Sequence, residues 1–444
     1  MNLNWFSPLP PAKTGIADFV QSVLPSLRQR ARVTLWTDQI KWDRSIEQYA
    51  EVRSYQVEQI PWEQLNLADL NVYNLGNNHL FHGSIWQVAR RQPGAVILHD
   101  FRLHEFFDSL YRNHWQDTEG YLAQMEAHYG EQGLREASAA LEKGATSIQL
   151  IERYPLTALA LENSLAVLVH TKEAFDELKQ ANRWLVAYAP LPFSTTLQPR
   201  TNGRSTRLHA PGHPYRLIVF GFINRNRRLD ALLHALAQFP RKDRFVLDIY
   251  GEVWDLAHIR QRIQSLGLRR HVILRGFVSE SDLDRALANA DLAINLRYPT
   301  VGEASISQLR IWAHSLPTLV TRVGWYGSIP DEIVAHVRPD HEEQDIQEHL
   351  GAFLDAADRF AEMGKQGYRL LVEQHTVEQY VEALLNLATQ AQQFRPCALA
   401  YKLAERVGIS ISAWADSLAT DDPLRRVSEE ILTLTSGAKP EKVT

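Results

Sequence analysis

Apolar residues in this chain recur in two alternating patterns. Short apolar runs bounded by polar turns occupy 2–6, 33–36, 70–74, 96–98, 166–169 and 184–187, and such runs predict buried strands. Between them, apolar positions return at helical spacing, as Phe19, Val23 and Leu27 do within 15–28, and a further helix is expected over 83–91. A longer, more polar stretch, 101–161, predicts helices. The pattern breaks over 193–214, FSTTLQPRTNGRSTRLHAPGHP, which has no apolar period and reads as a linker. It then restarts, with strands expected at 215–220, 245–250, 272–274, 292–295 and 318–320 and helices at 229–239, 258–266, 281–289 and 305–314. From 345 to about 433 the reading is mostly helical. Strands alternating with helices imply parallel sheets covered on both faces. The expected organisation is therefore α/β, with two Rossmann-like doubly wound domains at 1–195 and 215–375, a linker at 196–214, and a crossover helix with a helical tail at 376–444. Two such domains facing a central cleft bind ligands at the carboxyl ends of their strands.

Composition narrows the function. The 444 residues carry a net charge of -5, which weighs against a generally basic nucleic-acid binder and leaves no nucleic-acid partner expected. The single cysteine, Cys397, rules out a disulfide framework and a multi-cysteine metal site. No apolar stretch approaches the roughly 18–20 residues of a membrane span. The amino terminus lacks the charged and apolar regions of a secretory signal. A cytoplasmic protein is the expectation. Arginine outnumbers lysine 37 to 10, and its planar fork suits phosphate and carboxylate. Neither a dinucleotide fingerprint (G-x-G-x-x-G after the first strand) nor a phosphate-loop motif (G-x-x-x-x-G-K-S/T) is present. The D-x-D formed by Asp282 and Asp284 opens a helical pattern and reads as acids at a positive helix end.

Four loops after strands carry candidate chemistry. The first, SPLPPAKTGIAD, places Gly15 where a helix begins, a position that favours phosphate. In the second, His99 and Asp100 end an apolar strand, with Asn77, His79 and His82 after another strand and His104 one turn beyond Asp100. In the third, Gly221 precedes Arg225, Arg227 and Arg228, a crowding of like charge that an anion would relieve. The fourth runs from Asn295 through Gly302, Glu303, Ala304 and Ser305; its small residues allow a ligand close to the backbone, and Glu303 is either a hydroxyl acceptor or a helix-dipole acid.

Taken in order, these segments resemble family-4 glycosyltransferases of the GT-B fold over about residues 3–385. SPLPPAKTGIADF resembles the amino-terminal loop of many bacterial members, and VILHDFRLH the strand ending in the histidine beside the donor sugar. VFGFINRNRRLDALLHAL resembles the donor diphosphate loop, with Arg227 at the usual lysine and Phe222 at the usual arginine. ILRGFVSESDLDRALANADLAINLRYP resembles the segment that cradles the base. GEASISQLRIWAHSLPTLVTRVGWYGSIPD resembles the family signature, with Glu303 at its first glutamate, Arg310 at its second and Ser315 in place of a glycine.

The resemblance implies a retaining, metal-independent transferase without a cofactor, moving a hexose-type sugar from a nucleotide-diphosphate donor. His99, Arg227 and Glu303 would be catalytic. Gly15, Gly221, Arg225, Gly302, Ala304, Ser305 and Arg310 would bind the donor. Asn77, His79, His82, Asp100 and His104 would face the acceptor, expected to be a glycan or lipid-linked glycan in surface polysaccharide synthesis. Peripheral contact at the inner face of the membrane fits that acceptor. The competing reading is a non-catalytic GT-B homologue acting as a glycan-binding or partner subunit, favoured by Phe222 and Arg310.

Overall fold

The computed structural model describes residues 1–143, 148–199 and 213–414. The linker expected at 196–214 falls largely on 200–212, outside the described residues, and so does 415–444 of the expected tail. The first sheet contains β1 (Asn2–Phe6), β2 (Arg32–Thr37), β3 (Glu51–Ser54), β4 (Leu70–Leu75), β5 (Gly94–Leu98), β6 (Ser164–Val169) and β7 (Leu185–Tyr188), in the order β3-β2-β1-β4-β5-β6-β7. The second contains β8 (Tyr215–Phe220), β9 (Phe245–Tyr250), β10 (Val272–Gly276), β11 (Leu292–Asn295), β12 (Thr318–Thr321) and β13 (Ala335–Val337), in the order β10-β9-β8-β11-β12-β13. Neighbouring strands are parallel in both sheets. Every residue of β4 and β5 is buried, as expected of strands covered on both faces.

The short edge strands β3 and β13 were not expected from the apolar pattern. β3, EVRS, exposes both its ends, so it has no apolar run to read. β13 is three residues long.

The order of each sheet reverses once, between β1 and β4 and between β8 and β11. Loops leaving the two strands at a reversal diverge to opposite faces and leave a crevice. In the first half the helix Gly15–Leu27 leaves β1, capped by Thr14, whose hydroxyl accepts the Ile16 N–H. Its inner face, Phe19, Val20, Val23 and Leu27, is buried. The helix Val377–Trp414 returns from the second half and packs on β6 and β7 and on that first helix, where Tyr380 meets Phe19 edge-on at 5.4 Å. One continuous apolar cluster includes Leu3 and Trp5 of β1, Tyr380, and Trp312 and Tyr326 of the second half.

Helix Ile306–Ala313, which opens just after the signature-like loop, is held from behind by Ala357–Gln374. Two glycines permit this approach. A Cβ at Gly364 would lie 2.2 Å from the Ser315 carbonyl, and one at Gly367 would lie 2.2 Å from Trp312 Cδ1. Ser315 takes a left-handed φ of 48°, which explains why a glycine suits that position. Gly364→Ala is expected to destabilise the fold by about 1–3 kcal/mol through overpacking against backbone. Urea unfolding of wild type and variant measures this, and equal midpoints would contradict the packing argument.

Candidate active site

The loops leaving the two reversal points meet. A Cβ at Gly15 would lie 3.6 Å from Ile306 Cγ2, and one at Gly302 only 2.7 Å from Phe101 Cβ. The Arg102 N–H donates to the Val301 carbonyl at 2.7 Å. The loops carrying His99 and Asp100 and those carrying Arg227 and Glu303 therefore share one crevice. Gly302 has a φ of 79°, so conformation and space both demand glycine there.

Arg227 sits where β8 turns into the next helix, and only 5% of it is exposed. Its guanidinium donates from Nη1 to Asn295 Oδ1 and from Nη2 to the Phe220 carbonyl, both at 2.8 Å. Both acceptors are neutral. The Asn295 amide donates to Gln308 Oε1 at 2.9 Å, and the Gln308 amide donates to Thr318 Oγ at 3.1 Å. This buried relay ties the loop after β8 to β11, to helix Ile306–Ala313 and to β12. Burial, and then the charge of Arg297, pull the Arg227 pKa down to about 10.

The three arginines expected to crowd an anion separate. Arg228 forms a fork with the buried Glu342, with Nε 2.7 Å from Oε1 and Nη2 2.6 Å from Oε2, so its charge is spent. Arg225 is exposed and lines a cavity of about 330 Å³ with Trp254 and His258. The arginine that accompanies Arg227 is one the sequence reading passed over, Arg297. It lies in the loop after β11, with Nε 3.2 Å from Glu303 Oε1. Burial opposes its charge, but Tyr326, Glu303 and Asp100 together raise its pKa. Nothing in the motif spacing singled it out.

Glu303 is 9% exposed. Its Oε2 accepts from Thr300 Oγ at 2.5 Å and from the Val301 N–H at 2.9 Å, while Oε1 is buried without a hydrogen bond. Ser305 spends its hydroxyl capping the helix, accepting the Gln308 N–H at 3.2 Å. Ala304 and Gly221 are partly exposed beside these groups.

On the other wall, His99 Nε2 lies 3.0 Å from Asn74 Oδ1, and the Asn74 amide donates to Ser7 Oγ at 2.9 Å. With that amide orientation His99 donates from Nε2 and keeps Nδ1 as an acceptor. Burial, then His170 and His82, hold its pKa well below the usual value, so the ring is neutral. Asp100 Oδ2 accepts the Asn77 N–H at 2.6 Å.

Three expectations are corrected. His104 is buried, with Nδ1 2.6 Å from the Tyr154 carbonyl and Nε2 2.9 Å from the Tyr121 hydroxyl, so neither nitrogen is free for an acceptor. His82 is 1% exposed and spends Nδ1 on the Asn74 carbonyl at 3.0 Å. Arg310 is engaged by two carboxylates. Its Nε and Nη2 bond Asp284 Oδ1 at 3.0 and 2.8 Å, and Nη1 pairs with Glu280. The physical reason is the helix Glu280–Asn289, which presents both carboxylates to it from adjacent turns. Asp284 is thus a structural partner, and Asp282 bonds the Ser279 hydroxyl that caps the same helix. Asn77 spends its side chain bonding Glu105 and the Phe106 N–H, both at 2.9 Å. His79 is half-buried, its ring 6.3 Å from that of His114. Among the described residues no group of three His, Cys, Asp or Glu side chains could hold a metal ion, and no helix is long and apolar enough to cross a membrane.

Comparison with solved structures shows the GT-B fold. HepE from Anabaena, solved in complex with UDP, superposes with a TM-score of 0.60 at 16% identity, covering 87% of this chain and 99% of that one. Sucrose-phosphate synthase from Thermosynechococcus elongatus gives 0.59 at 16% identity, covering 88% of this chain and 98% of that one. WaaG, a glycosyltransferase involved in lipopolysaccharide biosynthesis, gives 0.54 at 16% identity, covering 89% and 99%. In sequence, residues 205–370 match the model of the family described as glycosyl transferases group 1. No curated protein matches the chain.

Burial, and next the Glu303 charge, push the Asp100 carboxyl up to about 7, against the Asn77 N–H and Arg297, which favour the anion. The unfolded carboxyl ionises near 3.8. Between about pH 4 and 7 the folded chain therefore holds a proton that the unfolded chain has lost, and stability falls as pH rises through that window. Asp100→Asn removes this loss while keeping an acceptor for Asn77. Its stability relative to wild type is expected to rise by roughly 2–4 kcal/mol between pH 4 and pH 8. Urea unfolding across that range reads it, and a constant difference would refute the assignment.

Proposed function

We propose that this chain is a glycosyltransferase that moves a hexose-type sugar from a nucleotide-diphosphate donor to a glycan or lipid-linked glycan. The observation that carries the reading is Arg227, a buried guanidinium bonded only to neutral oxygens at the carboxyl end of β8. A buried cation of this kind is stabilised by an anion brought to it. The group 1 match over 205–370 supports sugar transfer. The neighbour solved with UDP, and again with UDP-glucose, supports UDP as the nucleotide to try first.

In this reading the sugar–phosphate bond breaks as the anomeric carbon becomes oxocarbenium-like, and Arg227 neutralises charge growing on the diphosphate. Removal of one such donor costs about 10²–10³ in rate. His99, neutral and with Nδ1 free to accept, takes a hydrogen bond from a sugar hydroxyl. Glu303 offers Oε1 to another. The acceptor hydroxyl attacks the face the phosphate is leaving and passes its proton to that phosphate, so configuration is retained. Gly15 and the start of helix Ile306–Ala313 flank the phosphates across the crevice. The acceptor enters beside His79 and the polar helices of 101–161. A lipid-linked acceptor would bring the chain to the inner face of the membrane, and the lipopolysaccharide role in WaaG's name supports surface polysaccharide synthesis. The second reading, a non-catalytic homologue, is favoured by Arg310 being paired with Asp284 and by Phe222 being 51% exposed.

Thermal shift with UDP, GDP, ADP and their sugar conjugates tests the reading. A nucleotide at 100 times its Kd stabilises by about 2.7 kcal/mol. UDP is expected to raise the Tm of wild type and to leave Arg227→Ala unmoved. If no nucleotide stabilises wild type, the transferase reading fails and the non-catalytic one replaces it.

A further inference from the structure

We infer that Arg297 is the second guanidinium of the donor-anion site, and that Glu303 holds it in place until the diphosphate arrives. The inference rests on the nucleotide-sugar reading and adds to it a residue that neither the motif spacing nor the group 1 match assigns.

The arginines of the loop after β8 do not form a pair there. Arg228 is consumed by Glu342. Arg225 is exposed, beside Trp254 and His258 rather than Asn295. Phe222 brings no charge. Arg227 alone turns inward, and a single cation half-neutralises a diphosphate carrying two negative charges. The neighbour whose charge bears on Arg227 is Arg297, from the loop after β11 on the other side of the same reversal.

Arg297, whose charge Tyr326 and Glu303 both favour, keeps donor capacity at Nε. Its Nε is buried and makes no hydrogen bond, although Glu303 Oε1 lies 3.2 Å away; that oxygen is likewise buried without a hydrogen bond. The pair is in Coulombic contact but misaligned. Glu303 keeps its other oxygen on Thr300 and the Val301 N–H, so its backbone anchor does not depend on Arg297. Two guanidiniums thus face the Glu303 carboxylate and Asp100, whose own ionisation Glu303 opposes. The excess is positive and lies where the two loops converge. An oxygen-rich dianion satisfies both guanidiniums, each through a charge-assisted fork, and frees Glu303 Oε1 for the sugar hydroxyls.

Titration calorimetry with UDP, UMP and UDP-glucose tests this on wild type, Arg297→Ala, Arg297→Lys, Arg225→Ala, Arg227→Ala and Glu303→Gln. UDP affinity is expected to fall 10- to 100-fold in Arg297→Ala and less in Arg297→Lys, with UMP changed much less than UDP. Arg225→Ala is expected to lose less than Arg297→Ala. Glu303→Gln removes the competing charge and keeps the contacts to Thr300 and Val301, so UDP should bind at least 3-fold tighter while the extra affinity for UDP-glucose over UDP shrinks. This arm stands even if Arg297→Ala fails to fold. If Arg227→Ala loses UDP while Arg297→Ala and Arg297→Lys bind it as wild type does, or if Glu303→Gln weakens UDP, Arg297 is only the partner of Glu303 and the inference is overturned alone. If wild type binds no nucleoside diphosphate, the transferase reading falls and takes this inference with it.

Discussion

A guanidinium withdrawn from water retains its charge at a cost that neutral hydrogen bonds only partly offset. Arg227 is in that position, and much of the second half is arranged around it. Asn295 at the end of β11 receives one of its donors, Gln308 receives from Asn295, and Thr318 at the start of β12 receives from Gln308. The relay runs through residues of 5% exposure or less. It fixes the loop after β8 against the start of helix Ile306–Ala313, the segment that also carries Glu303 and Ser305. The location of one buried charge and the course of the signature-like loop are thus a single constraint. The glycines at 364 and 367 serve it from behind, by letting a second helix press the first into place.

Across the crevice the constraint is met by carboxyls. Asp100 belongs to the first sheet and Glu303 to the second, yet the charges of both act on Arg297. The close approach of Gly302 to Phe101 brings them together. A carboxyl that ionises near neutrality is inexpensive to protonate, so this wall of the crevice changes its charge near pH 7.

The architecture was largely legible in the sequence because parallel strands covered on both faces are apolar runs, and those runs are interrupted by helices of plain amphipathic period. The loops that matter were legible for the same reason, since each follows a recognisable strand. Side-chain allegiance was not. His104 sits one turn from Asp100 in sequence, but its nitrogens answer to Tyr121 and Tyr154, which no local pattern connects to it. Arg228 and Arg310 look like ligand arginines until Glu342, 114 positions away, and Asp284, 26 positions away, are placed beside them. Arg297 stood in a segment whose glycines, Glu303 and serines drew the reading, and only burial shows its significance. Charges are paired by tertiary structure, so a charge in isolation says little about its work.

The pairing of Arg310 also bears on whether this is a working enzyme. Its guanidinium is paired with Asp284 and Glu280. Paired in this way it leaves Arg227 as the guanidinium of the crevice that is bonded only to neutral oxygens. A scaffold with no anion to receive would be more stable with an apolar side chain at Arg227 than with a desolvated cation held by neutral oxygens. This is a cost that a bound dianion offsets, so the burial of Arg227 favours a donor-binding protein over an inert homologue.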